Sequence, residues 1–128
     1  MTLLCILLIG ATSATVQASG REVVLARVRG EVGPAAARYL DRVVREAEKR
    51  GAEAIVVEID TPGGLEVSMR QMVQRLLGAE IPVITWVGPP GARAASAGTF
   101  IVMAADVAAM APGTHIGAAH PVSGEGEK

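Results

Sequence analysis

The sequence predicts an α/β fold with a parallel sheet and crossover helices. Short β-branched segments alternate with amphipathic ones, and glycine or proline separates them, in the order strand, helix, strand, helix, strand, helix, strand. The chain has 128 residues, 50% of them hydrophobic, which fits one domain or part of one. The formal net charge is −1, and the basic residues are spread along the chain, so nothing indicates a nucleic-acid partner.

The first half of the domain predicts two strands joined by a helix. Residues 22–28 (EVVLARV) are short and β-branched, which is typical of a strand. Pro34 is a favoured first helical residue, and the apolar residues after it share one face until Gly51, which ends the helix. Residues 54–59 are nearly all apolar and predict a second strand, buried within a parallel sheet.

The second half continues the same alternation. The loop DTPGG at residues 60–64 precedes a second amphipathic helix, LEVSMRQMVQRLLG, and residues 81–87 predict a third strand. A third helix is predicted over residues 96–106 and a short fourth strand over 107–111. The tail after Pro112 has no clear periodicity, so we expect the fold to be incomplete at the C-terminus.

The first 18 residues differ from the rest of the chain. No charged residue precedes Arg21, an apolar run covers residues 3–9, and Val16-Gln17-Ala18 is similar to a small-x-small cleavage site. Residues 1–18 therefore predict a secretory signal peptide or an N-terminal anchor; the alternative is a buried first strand. The single cysteine, Cys5, lies in this segment, so the remainder has no disulfide, and we expect no cofactor and no metal site.

Ser96 stands among small residues in GPPGARAASAGTF, between a predicted strand and a predicted helix. This arrangement resembles the strand–nucleophile–helix turn of hydrolases, with Ala94 in place of the first glycine. Small neighbours would let a substrate carbonyl approach the hydroxyl at the positive end of the helix dipole. The alternative is that Ser96 only caps the helix.

The DTPGG loop lies at the end of a predicted strand, as the Ser96 loop does, so both should meet at one edge of the sheet. The N–H groups of Gly63 and Gly64, together with that of Ala97, could stabilise an oxyanion. The alternative is an ordinary Pro-Gly turn that opens the second helix.

A serine nucleophile requires a base. His115 and His120 lie downstream, and either could serve. Lys128 is the last residue, and nothing at a chain end would desolvate it enough to be neutral near pH 7.

The segments EIDTPGG, IPVITWVGPPGARAASAGTF and MAPGTHIGAAHPV resemble the NfeD family of membrane-bound serine proteases, within the ClpP/crotonase superfamily. The resemblance runs from about Glu22 to Val122. It implies that residues 22–128 form a truncated ClpP-like serine protease domain with a Ser–Lys dyad. Ser96 matches the nucleophile, and Gly63 and Gly64 match the oxyanion loop. The base lysine would lie beyond Lys128, whereas His120 stands where ClpP itself has its histidine.

The resemblance also implies a setting. The family members are membrane-associated, with the protease domain exported to the periplasmic or extracellular side, and they act on hydrophobic segments of stomatin- or flotillin-like partners. A homo-oligomer is expected. The fragment without its base lysine is expected to be inactive alone.

Two other functions remain open from the sequence. A crotonase-like enzyme would use similar loops to hold an acyl-CoA thioester, although no basic cluster suits the CoA phosphates. A non-catalytic membrane scaffold for a stomatin/flotillin-type protein would use the fold without its chemistry.

Overall fold

The computed structural model describes residues 20–120 and confirms the predicted α/β fold. The predicted leader at residues 1–18 and Lys128 lie outside the described residues. The elements follow one another as β1 (Val23–Arg29), α1 (Pro34–Lys49), β2 (Ala54–Asp60), α2 (Glu66–Leu77), β3 (Val83–Val87), β4 (Arg93–Ala95), α3 (Ala97–Met103), β5 (Val107–Met110) and β6 (His115–Gly117).

The main sheet is four-stranded and parallel, in the order β1-β2-β3-β5. Each new strand is added on the same side of the previous one. Right-handed crossovers then place all three helices on one face, where α1 contacts α2 and α2 contacts α3.

The core lies between this sheet face and the helices. On β2, Ile55, Val57 and Ile59 point towards the helices and are fully buried, as are Leu40 and Val44 of α1. Each such side chain contributes about 1.5–3 kcal/mol through the apolar surface that it removes from water. This burial fixes the sheet against the helices and leaves the carboxyl ends of β2 and β3 as a rigid edge.

The structure corrects the sequence prediction around Ser96. The third helix is shorter than predicted and begins at Ala97, after a strand, β4, that the sequence pattern did not indicate. A second missed strand, β6, pairs with β4 in a separate two-stranded parallel sheet. Both strands have only three residues, Arg-Ala-Ala and His-Ile-Gly, and their alanines and glycine carry little strand propensity.

The end of α1 is tied to α2 through Glu48. One carboxylate oxygen accepts the backbone N–H of Glu80 at 2.9 Å, and the other accepts a hydrogen bond from Arg75. Burial alone would raise the pKa of Glu48, but the Glu80 N–H and the Arg75 guanidinium outweigh it, so the pKa lies below its usual value.

We expect Glu48→Gln to lower the free energy of unfolding by about 1 kcal/mol at pH 7. Because the folded-state pKa is depressed, the carboxylate contributes stability above the unfolded-state pKa and loses it as the pH falls through the folded-state value. Urea unfolding of the intact protein at a series of pH values measures this. Glu46→Gln, an exposed change on the same helix, is the control. Identical pH profiles for the two variants would contradict the assignment.

Candidate active site

The two glycine-rich loops meet at one edge of the sheet, as the sequence predicts. Thr61 joins them: its N–H donates to Arg93 O at 2.7 Å, and its carbonyl accepts the Ala95 N–H at 3.1 Å. Thr61 is fully buried, and its Cγ2 methyl group packs so closely on Gly98 that a Cβ there would lie 2.6 Å away. The DTPGG loop is therefore fixed directly to β4, one residue before Ser96.

Ser96 occupies a sharp turn between β4 and α3. Its φ is 52° and its ψ is −117°, which is a strained conformation for a residue with a side chain. Its N–H donates to Gly117 O at 2.8 Å, and its carbonyl accepts the Thr99 N–H at 3.0 Å. These two bonds hold the turn in place.

The Ser96 side chain makes no capping hydrogen bond to α3 among the described residues. The alternative that Ser96 serves as a side-chain cap therefore has no support from the geometry. The hydroxyl is half-buried and lines the open groove described below.

Gly63 allows the DTPGG loop to approach Ser96. A Cβ on Gly63 would lie 2.7 Å from Ser96 Cβ and 3.2 Å from its Oγ, and the Gly63 φ is +112°. Any side chain here would displace the serine. The absence of bulk in this loop is thus a steric requirement of the Ser96 position.

At Gly64, a different neighbour, the Val32 backbone, leaves no space for a side chain. A Cβ on Gly64 would lie 2.2 Å from Val32 O, in the connection between β1 and α1. Val32 holds the loop from both sides, because its N–H donates to Gly63 O and its carbonyl accepts the Leu65 N–H, each at 2.8 Å. Val32 is fully buried, so this support is itself anchored in the core.

The backbone N–H groups near Ser96 differ in their availability. The Gly63 N–H donates to Thr61 Oγ1 at 3.1 Å, within a local threonine turn. Ala97 is the first residue of α3, where an N–H has no acceptor within the helix. Among residues 20–120, the N–H groups of Gly64 and Ala97 donate to no backbone or side-chain acceptor. Of the three predicted oxyanion donors, the Gly63 N–H is thus engaged with Thr61, whereas the N–H groups of Gly64 and Ala97 have no acceptor in the described part of the chain.

Ser96, Ala97 and Gly64 line an open groove of about 810 Å³ between α2 and α3. Several of its apolar side chains are exposed, Met103 being 72% accessible. The larger apolar groups that line it are Leu65, Met69, Val73, Leu77, Phe100 and Met103. The groove can therefore accept an extended apolar chain beside the serine hydroxyl.

The two histidines are separated by the fold. His120 is exposed and lines the same groove as Ser96, whereas His115 is exposed at the start of β6 and does not line it. No group of histidine, cysteine, aspartate and glutamate suited to a metal ion occurs within residues 20–120.

Sequence reasoning missed four residues that support the site, namely Val32, Thr61, Thr99 and Gly117. Val32, Thr61 and Gly117 act through backbone contacts between distant segments, and Thr99 acts through its hydroxyl. Such contacts leave little local signal in a sequence. For Thr61 the sequence holds only a weak signal, since a threonine hydroxyl forms such a turn less readily than an asparagine or aspartate side chain.

No helix in the described part of the chain has both the length and the apolar character that a membrane span requires. Residues 22–128 match the family model described as the NfeD1b N-terminal domain. The chain is 47% identical over 102 residues to membrane-bound protease PH1510 of Pyrococcus horikoshii, and 37% identical over 110 residues to membrane protein NfeD1b of Bacillus subtilis. These alignments cover 80% and 86% of this chain but 23% and 24% of those proteins.

Solved structures support the same family relationship. A variant of the 1510-N membrane-bound stomatin-specific protease, in complex with a substrate peptide, superimposes with a TM-score of 0.80 at 44% identity. That match covers 85% of this chain and 50% of the other. A ClpP1 variant from Listeria monocytogenes has a TM-score of 0.64 at 22% identity, over 73% of this chain and 54% of its own, which shows a shared fold. The chain spans about a quarter of the length of these curated relatives and about half of the length of the solved chains. It belongs to the NfeD1b N-terminal domain family and has a ClpP-like fold.

Proposed function

We propose that the intact protein is a membrane-associated serine endopeptidase in which Ser96 is the nucleophile. The observation that carries this proposal is the strained, uncapped Ser96, which lines one groove with Gly64 and Ala97, whose N–H groups have no acceptor among residues 20–120. A strained turn persists only where its surroundings hold it, and such turns are concentrated at functional sites.

The chemistry follows from this arrangement. Ser96 Oγ forms a bond to the carbonyl carbon of the peptide, and its proton passes to a base. The carbonyl oxygen takes up the electron pair of the double bond and is stabilised by the N–H groups of Gly64 and Ala97. The base then gives the proton to the departing amine as the C–N bond breaks, and water hydrolyses the acyl-enzyme.

We assign the base to a lysine beyond Lys128, with His120 as the alternative. Two solved relatives carry a serine-to-alanine and a lysine-to-alanine replacement, and these are the residue types of a Ser–Lys dyad. The observation that keeps His120 under consideration is its position on the groove that Ser96 lines.

The substrate class follows from the groove. Its walls are apolar, and in the described lining the positive charge of Arg70 is paired with Glu66 at 2.9 Å. This surface suits a hydrophobic polypeptide better than the phosphates of an acyl-CoA. Because the relative solved with a peptide is named a stomatin-specific protease, we infer a stomatin-like partner for this protein too.

The remaining expectations belong to the same proposal. Residues 1–18 would direct export, residues 22–128 would be part of the protease domain, and the intact protein would form a homo-oligomer at the membrane. The names of the curated relatives, a membrane-bound protease and a membrane protein, support the membrane setting.

Ser96→Ala in the intact protein should abolish peptide cleavage and fluorophosphonate labelling. Because the hydroxyl makes no capping bond, the free energy of unfolding should change by less than about 1 kcal/mol. Casein turnover, labelling and urea unfolding measure the three effects. Cleavage by the variant at the wild-type rate would show that Ser96 is not the nucleophile.

Gly64→Ala should reduce kcat by about 10²-fold while Ser96 still reacts slowly with a small phosphonate. The added Cβ collides with the Val32 backbone, so the loop must shift and carry the Gly64 N–H away from the oxyanion. Gly33→Ala is the matched control, because a Cβ at Gly33 meets nothing within 4 Å. Equal kinetics for both variants would remove Gly64 from the oxyanion site.

His120→Asn separates the two candidate bases. If the lysine is the base, kcat should fall by less than about tenfold, since a groove-lining side chain is lost but the proton transfer remains. Loss of a general base costs about 10²–10⁴-fold. A fall in that range, with labelling slowed equally, would make His120 the base instead.

A further inference from the structure

The wall of the groove that contains His120 begins at a bend after β6. Gly117 has a φ of +137° and Ala118 a φ of +55°, so two consecutive residues adopt positive φ. Ala119 and His120 then line the groove. A non-glycine residue at positive φ is strained and needs support from its neighbours.

The carbonyl of Gly117 provides that support. It accepts two hydrogen bonds, from the Ser96 N–H at 2.8 Å and from Thr99 Oγ1 at 2.9 Å. Residues 118–120 form no backbone hydrogen bond with any other described residue. The Gly117 carbonyl is therefore the last anchor of the groove wall in the described part of the chain.

The Thr99 hydroxyl reaches a second acceptor, Ala94 O, at 3.1 Å. A hydroxyl has one hydrogen to donate, so it lies between two carbonyls that compete for it. Ala94 belongs to β4, Thr99 to the first turn of α3, and Gly117 to β6. One half-buried side chain thus connects the strand before Ser96, the helix after it and the strand that leads to the wall.

We propose that Thr99 is a positioning residue whose hydroxyl sets the groove wall of Ala119 and His120 relative to Ser96. The proposal rests on the proposed peptidase function for its kinetic readout. The Ser96 turn has its own supports, namely the Ser96 N–H bond to Gly117 and the Thr99 N–H bond to Ser96 O. Loss of the hydroxyl should therefore affect how the peptide is bound more than how the serine reacts.

The test compares Thr99→Val with Thr99→Ser in the intact protein. Thr99→Val keeps the shape but removes the donor, and we expect KM for an apolar peptide to rise about fivefold, the scale of one hydrogen bond, with kcat and small-phosphonate labelling within twofold of wild type. Thr99→Ser keeps the hydroxyl and should recover most of the KM. Thr99→Ala, which leaves room for water beside both carbonyls, is the second variant should Thr99→Val fold poorly, and it should raise KM as Thr99→Val does.

Thr85→Val is the matched control, because the buried Thr85 hydroxyl donates to Val102 O at the other end of α3. It removes a comparable hydrogen bond and should leave KM unchanged. Three results would each overturn the proposal. They are an equal rise in KM for Thr85→Val, a fall in labelling for Thr99→Val that parallels its rise in KM, and a KM for Thr99→Ser that does not recover.

A second readout does not depend on activity. Hydrogen exchange of the Ser96 amide, which donates to the Gly117 carbonyl, should accelerate in Thr99→Val and Thr99→Ala, but not in Thr85→Val. Unchanged exchange there would refute the role of Thr99 even in an active enzyme. If wild type neither labels nor cleaves while exchange responds as expected, the peptidase proposal fails and the anchoring role of Thr99 stands.

Discussion

The site depends on the backbone contact between Thr61 and β4. Two hydrogen bonds, from the Thr61 N–H to Arg93 O and from the Ala95 N–H to Thr61 O, fix the DTPGG loop against the strand that precedes Ser96. Thr61 is fully buried, so water does not compete for these bonds. The close approach of Gly63 to Ser96 follows from this contact, and Gly64 lines the same groove as Ser96.

Strain at Ser96 is tolerated because the turn is held from both sides. A non-glycine residue at positive φ costs about 1–3 kcal/mol. The two backbone hydrogen bonds of Ser96, to Gly117 and from Thr99, each offset about 1 kcal/mol. With the turn held in this way, the serine hydroxyl makes no bond to α3, and Ser96 lines the groove. A capping serine would instead direct its hydroxyl towards the helix N–H groups.

The main sheet and its helices could be predicted because hydrophobic periodicity and the rules for parallel sheets act over whole segments. The meeting of the two loops at one edge followed from the same rules. The small sheet of β4 and β6 could not be predicted, since strands of three residues, Arg-Ala-Ala and His-Ile-Gly, are too short to show an alternating pattern. Nor could the sequence separate Gly63 from Gly64, because the difference lies in a bond from the Gly63 N–H to the Thr61 hydroxyl.

A crystal structure of the intact protein with a phosphonate bound to Ser96 tests the central claim most directly. The phosphoryl oxygen stands in for the oxyanion of the tetrahedral intermediate. The account predicts that this oxygen lies about 2.7–3.1 Å from the nitrogen atoms of both Gly64 and Ala97. An oxygen directed into solvent, or bound to the Gly63 N–H after the Thr61 turn has opened, would contradict it.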